Sequence, residues 1–160
     1  MERFKCHQYR GFYKKGKKKE MKKTTGELLE ELRQTISVDE YLTQNSGEII
    51  TESLTDVLKE MLETHNMSKA EAIKASNVNE VYGYQIFKGL KNPSRDKILT
   101  LCLGMEMTLA EAQRLLKVAG LGELYSRNRR DAVIIFCINK GTDVAATNEL
   151  LDKMNEFVLE

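Results

Sequence analysis

Tryptophan is absent, proline occurs once, and there are only two histidines and three cysteines in 160 residues. Cys6, Cys102 and Cys137 lie far apart, odd in number and without a CxxC pair. That argues against a disulfide framework and for a reducing cytoplasm. No apolar run approaches the ~20 residues that cross a bilayer. The N-terminal basic residues are not followed by an apolar stretch, which argues against a cleavable secretory signal. Of the histidines, His7 sits beside Cys6 with no second pair to complete a tetrahedral metal site. His65 falls at an expected helix end, where it reads as a favourable charge at the negative pole rather than a ligand or base. A phosphate-cradling glycine loop, a nucleophile elbow and an HExxH pair are all missing. The carboxylates form no recognisable catalytic spacing. Taken together these absences point away from an enzyme and imply neither metal nor cofactor.

What remains is ordinary in amount. The chain is 41% apolar and 31% charged, close to a typical soluble protein. A chain of this length usually makes one domain, occasionally two small ones, and buries enough surface to fold without staples.

The net charge of +1 hides a segregation. Residues 1–20 hold eight basic residues against two acidic ones, and the rest of the chain holds 17 against 22. Residues 24–63 have two basic (Arg33, Lys59) against ten acidic. Residues 68–97 reverse this with six basic against three acidic, and 114–130 set five basic residues against Glu123 alone. A basic middle between acidic ends is what a polyanion-binding surface looks like, although solvated faces are the commoner cause of such runs.

Residues 1–20 have no helical period and precede a second methionine, Met21. Two readings stand: Met21 is the natural start, or the segment is a basic arm that grips phosphates. Little fixed structure is expected there, because nothing in it can bury an apolar face.

Helix signals fill the remainder. Thr24/Glu27, Ser37/Glu40, Ser68/Glu71 and Thr108/Glu111 carry the S/T-x-x-E spacing that satisfies two orphan N–H groups at a helix start. Apolar residues follow at three- and four-residue intervals: Leu28, Leu29, Leu32; Leu54, Val57, Leu58, Met61, Leu62; Leu109, Ala112, Leu115, Leu116; Leu150, Leu151, Met154, Phe157, Val158. Gly89, Gly104, Gly120 and Gly141 sit where helices should stop, and Asn-Gly or Asp-Gly hairpin signals are missing. The chain is therefore read as all-α, with helices near 25–35, 37–44, 51–65, 68–76, 79–88, 94–103, 108–119, 122–139 and 142–157. Residues 132–138 are apolar on all sides and suit a strand as well as a helix. A lone strand has no partner for its backbone hydrogen bonds, so a fully buried helix is expected. Cys102 and Cys137 lie in apolar runs and read as small core residues.

Residues 68–97 form two helices around a tight turn. Ser68 caps the first, Asn77-Val78-Asn79 makes the turn with Asn77 left-handed and Asn79 as the next cap, and Ile86 and Phe87 face inward before Gly89. Asn92-Pro93-Ser94 opens another helix. In these positions 55–103 resembles the phage-repressor (Xre) type of helix-turn-helix. Ser68, Asn77-Val78, Ile86, Gly89 and Asn92-Pro93-Ser94 all fall in place. Gly83 departs from the family, which has a buried aliphatic residue there. Ile73 replaces the family's small alanine and is expected to fill the space Gly83 leaves.

The resemblance implies a repressor-like four- or five-helix core and a sequence-specific regulator of transcription that binds double-stranded DNA. Its second helix, 79–88, would lie in the major groove and read bases with Asn79, Glu80, Val81, Tyr84 and Gln85. Gln85 would pair with adenine. Phosphates would meet Ser68 and Lys69 on one side and Lys88, Lys91, Ser94 and Arg95 on the other. Arg127–Asp131 either extends that surface or makes internal ion pairs. The expected organisation is a tail at 1–20, an acidic short-helical arm at 21–50, the helix-turn-helix at 51–104 and a helical extension at 105–160. That extension would complete the core or form a homodimer. The competing function is an adaptor that binds a protein partner through acidic 24–63. Lysines sharing one exposed face with Gln85 favour DNA; carboxylates interrupting that face favour the adaptor.

Overall fold

The computed structural model describes residues 23–160. The readings of residues 1–20, including Cys6, His7 and the Met21 start, lie outside the described residues. Among those residues there are nine α-helices and no strand: α1 (Thr25–Gln34), α2 (Val38–Gln44), α3 (Leu54–Thr64), α4 (Lys69–Ala75), α5 (Glu80–Phe87), α6 (Arg95–Gly104), α7 (Leu109–Val118), α8 (Arg129–Lys140) and α9 (Val144–Lys153). The fold is all-α, and no described helix is long and apolar enough to cross a membrane. The chain divides into two units, Met1–Ile50 and Thr51–Glu160.

Helix starts follow the side chains closely. Thr24, Ser37, Ser53, Ser68, Asn79, Ser94, Thr108, Asn128 and Asp143 each accept a hydrogen bond from a backbone N–H in the first turn. Thr24/Glu27, Ser68/Glu71 and Thr108/Glu111 complete reciprocal capping boxes. Ser37 caps α2 alone, because Glu40 accepts from Gln44 instead of turning back.

Seven of the nine described helices, α3 to α9, end by one device. Asn66, Asn77, Gly89, Glu106, Gly120, Gly141 and Asn155 all have φ between 51° and 71°. The residue after each donates its N–H to a carbonyl five positions back, as in Met67 to Leu62 and Met107 to Cys102, both at 2.9 Å. Each such bond satisfies a carbonyl that the helix would leave orphaned. Gly104 is not one of these stops. It is the last helical residue of α6, and a Cβ there would lie 2.5 Å from the backbone nitrogen of Ser76. Its smallness lets α4 and α6 approach; Glu106 takes the left-handed position instead.

In the first unit α1 packs on α2. Tyr41 and Asn45 are buried, while α1 buries no residue and Leu29, Leu32, Ile36, Val38 and Leu42 are exposed. In the second unit α6 is central, buried from Ile98 through Gly104 and packed against α4, α7 and α9. Val57, Leu58, Met61 and Leu62 of α3, Ile73 of α4, Ile86 and Phe87 of α5, and Leu115 and Leu116 of α7 join the same core. So do Ile134 and Cys137 of α8 and Leu151 of α9, which makes 105–160 part of one unit with 51–104.

Three helices differ from expectation. The α3 helix starts at Leu54, not 51, because Ser53 caps it. The α8 helix starts at Arg129, not 122, because Asn128 caps it and Gly122–Arg127 form a loop. Residues 132–138 are helical but not fully buried. Ile134, Cys137 and Ile138 face the core, whereas Phe136 is 52% exposed with the Lys140 ammonium 5.7 Å from its ring centre. The α9 helix stops at Lys153, since left-handed Asn155 ends it. Phe157 and Val158 therefore belong to an extended tail, where Leu159 alone is buried and Asn148 bonds both its N–H and its carbonyl. Gln113 holds Leu124 in the same two-sided way.

Candidate nucleic-acid interface

Helices α4 and α5 are short, and Ser76-Asn77-Val78-Asn79 joins them. Asn77 has φ 52°, a conformation its short polar side chain tolerates. Val78 is buried, and the Ser76 hydroxyl, also buried, donates to the Ala72 carbonyl at 2.6 Å. Ile73 lies under Gly83, as expected. A Cβ on Gly83 would fall 2.7 Å from Ile73 Cγ1 and 2.8 Å from Cγ2, well inside the 3.5–4.0 Å of an optimal carbon contact. The pairing sets how closely α4 and α5 meet.

Burial on α5 leaves an outward stripe. Gly83, Ile86 and Phe87 are buried, and Tyr82 and Tyr84 are half-buried against the core. Val81, Gln85 and Lys88, four and three residues apart, share the opposite face. Val81 is 66% exposed, and the Gln85 amide and Lys88 ammonium have no partner among the described residues. Glu80 is exposed but lies to one side of the stripe, toward Tyr84.

The other expected contact residues divide. Lys69 and Lys91 are exposed and meet no carboxylate among the described residues, and Lys74 and Lys97 are likewise unpaired. Three polar candidates are spent on capping: Ser68 on α4, Asn79 through its Oδ1 on α5, and Ser94 on α6. At the start of α4, Glu71 accepts from the Ser68 N–H at 2.8 Å, and the Ser68 bonds hold its carboxyl below the usual range. That charge occupies the place where an anion was expected to bind.

Arg95 is the clearest departure. It is half-buried, not exposed, and its guanidinium grips both oxygens of buried Asp131 at 2.9 Å and the Gly122 carbonyl at 2.8 Å. A guanidinium so used has no fork left for a phosphate. Two of the three arginines in the expected basic cluster at 127–131 also make ion pairs within the chain. Arg130 pairs with Asp96 at 2.8 Å and bonds the Phe157 and Val158 carbonyls. Arg129 pairs with Glu156, and Arg114 bridges Glu52 and Glu60.

Sequence reasoning missed this division of labour. Structural cations in the second unit are mostly arginines, whose planar fork suits bidentate pairing; the unpaired ones around α4 and α5 are lysines.

The histidine and cysteines behave structurally. His65 is the C-cap residue of α3 and reaches Glu111 of α7 at 3.3 Å. Cys102 and Cys137 are fully buried, and burial pushes the Cys102 thiol up to about 12. Among the described residues no cluster of His, Cys, Asp and Glu could hold a metal ion.

Comparison with known proteins returned no matching family model, no matching curated protein and no matching solved structure.

Proposed function

We propose that the chain is a DNA-binding transcriptional regulator of the repressor-like helix-turn-helix (Xre) type, with α5 in the major groove. The observation that carries this reading is the stripe Val81–Gln85–Lys88 opposite the buried face of α5, exposed at Val81 and Lys88 and half-buried at Gln85, together with Lys69, Lys74, Lys91 and Lys97, none of which pairs with a carboxylate among the described residues. Glu80 flanks that stripe and does not interrupt it. An unbonded amide suits base edges, an exposed aliphatic suits a thymine methyl, and unpaired ammonium groups suit phosphates. Base contact thus narrows to Val81 and Gln85, with Lys69, Lys88 and Lys91 on the backbone. Reading paired half-sites would call for a homodimer, and the exposed Phe136 and Phe157 of the C-terminal region offer surface for one.

The test is duplex binding over a salt series, on random and genomic DNA. Gln85→Ala is expected to cost about 1–3 kcal/mol on the preferred site and to relax discrimination at one base position. Lys91→Ala should weaken all sequences alike and lower the slope of log affinity against log salt by about one. A parent protein that binds no duplex at low salt refutes the reading.

An adaptor is the second reading. It is favoured by the first unit, where Leu29, Leu32, Ile36, Val38 and Leu42 are exposed on an acidic helix pair. Such a surface fits a protein partner.

A further inference from the structure

Residues 121–128, between α7 and α8, form an irregular loop that the protein holds with unusual thoroughness. Arg95 donates to the Gly122 carbonyl at 2.8 Å and to the Glu123 carbonyl at 3.2 Å. Gln113 accepts from the Leu124 N–H at 2.7 Å and donates to its carbonyl at 2.8 Å. Asp131 accepts from the Tyr125 N–H at 2.9 Å, and the Asn128 N–H closes a turn onto the Tyr125 carbonyl at 2.9 Å. Leu124 is buried beneath these contacts. The backbone is therefore fixed on both sides of the exposed tip.

Charge at that tip is not compensated. Glu123 pairs with Lys117 at 3.2 Å, Asp131 with Arg95, Arg130 with Asp96 and Arg129 with Glu156. Arg127 alone in this segment meets no carboxylate among the described residues, and it is exposed. Tyr125 is 58% exposed and its hydroxyl has no partner among the described residues. Burying Leu124 accounts for the pins; it does not account for an idle guanidinium and an idle phenol on a preorganised tip. Location supplies the rest. Arg95 opens α6 directly after Lys88–Ser94, so the loop lies within one arginine side chain of the basic turn that follows α5.

We propose that the 122–127 loop is a second contact element for duplex DNA, with Arg127 on a backbone phosphate and the Tyr125 hydroxyl donating to the backbone beside it. Arg95 is the positioning residue for this element and does not itself touch DNA. The inference rests on the DNA-binding reading above. It replaces one expected phosphate contact, Arg95, with another that the fold leaves available.

The experiment is fluorescence anisotropy of a labelled random-sequence duplex over a potassium chloride series, using the full chain. Arg127→Ala should weaken binding and lower the slope of log affinity against log salt by about 0.9, the value for one B-DNA phosphate. Tyr125→Phe should weaken binding with the slope unchanged, because a neutral hydroxyl releases no counterion. Arg95→Ala combined with Arg127→Ala should have the slope of Arg127→Ala alone if Arg95 only positions the loop; a further drop of about 0.9 would make Arg95 a phosphate ligand and overturn its assigned role. Should Arg95→Ala fail to fold by circular dichroism, the two exposed variants still decide the matter. If the parent binds duplex and Arg127→Ala keeps its affinity and slope, the loop assignment falls while the DNA reading stands. A parent that binds no duplex at low salt removes both.

Discussion

At most helical glycines, substitution by alanine stabilises; at Gly83 it should do the reverse. An interior helical glycine is worth about 0.8–1.0 kcal/mol less than alanine, so an unconstrained site would gain about that much. The added Cβ at Gly83, however, meets Ile73 Cγ1 at 2.7 Å, Cγ2 at 2.8 Å and Cδ1 at 3.0 Å. Each is at least 0.5 Å inside an optimal carbon contact of about 3.5 Å. Ile73 is 2% exposed, and its two γ carbons hang from one stiff β-branched centre, so neither can swing away alone. Overpacking of this kind costs about 1–3 kcal/mol. Set against the propensity gain, Gly83→Ala should destabilise by about 1 kcal/mol. Ile73→Ala alone leaves a cavity and should cost about 2–5 kcal/mol. In the double variant the methyl added at position 83 enters that cavity without a clash, and the propensity gain returns. The two changes should then couple favourably, within the about 0.5–3 kcal/mol found for side chains in direct contact. Urea unfolding followed by far-ultraviolet circular dichroism reads all four proteins. Stabilisation by Gly83→Ala, together with additive effects in the double variant, would refute the idea that Ile73 and Gly83 are a matched pair.

Two further outcomes follow from the helix ends and ion pairs. Glu106 is exposed with φ 51° and puts a carboxylate at the negative end of α6; Glu106→Gly should raise the stability by about 0.5–1 kcal/mol, and an unchanged urea midpoint would count against strain there. Bonds from Arg114 hold the Glu60 carboxyl below its ordinary range. A depressed folded value stabilises above the unfolded pKa of about 4.3, and that contribution is lost as pH falls through the folded one. The stability gap between parent and Glu60→Gln, measured by urea unfolding at pH 7 and again near pH 3, should therefore narrow in acid. A gap of equal size at both pH values would remove the ion pair as its cause.

Helix starts are the most legible feature of this chain, because a hydroxyl or carboxamide followed three residues later by an acid is a local signal. Thr24, Ser68 and Thr108 act as the spacing requires. Asn128 with Asp131 carries a related signal, which the apolar run behind it obscures, so the expected start of α8 falls too early. Helix ends are harder to read. Asn77 is legible as a left-handed residue because asparagine favours that region, whereas Glu106 holds the same conformation with a residue type that does not announce it. Gly104 reads as a stop since composition cannot separate a glycine needed for its backbone from one needed for its size. The candidate surface is half legible. Lys69, Lys88 and Lys91 are exposed and unpaired among the described residues, Gln85 is half-buried with an unbonded amide, and Arg95 is held in an ion pair. Its partner Asp131 is 36 residues away, and nothing local in the sequence announces such a pairing.

Around α4 and α5 the separation of arginines from lysines makes the surface charge chemically independent of the arginine ion pairs that join the helices. Arg95, Arg114, Arg129 and Arg130 tie helices, loop and tail together, while the ammonium groups of Lys69, Lys74, Lys88, Lys91 and Lys97 hold nothing in place. Chemistry confined to amines, such as acetylation, removes a lysine's charge and leaves guanidinium untouched. A cell, or an experimenter, can thus erase the positive potential around α5 by degrees without loosening a single ion pair that those arginines make.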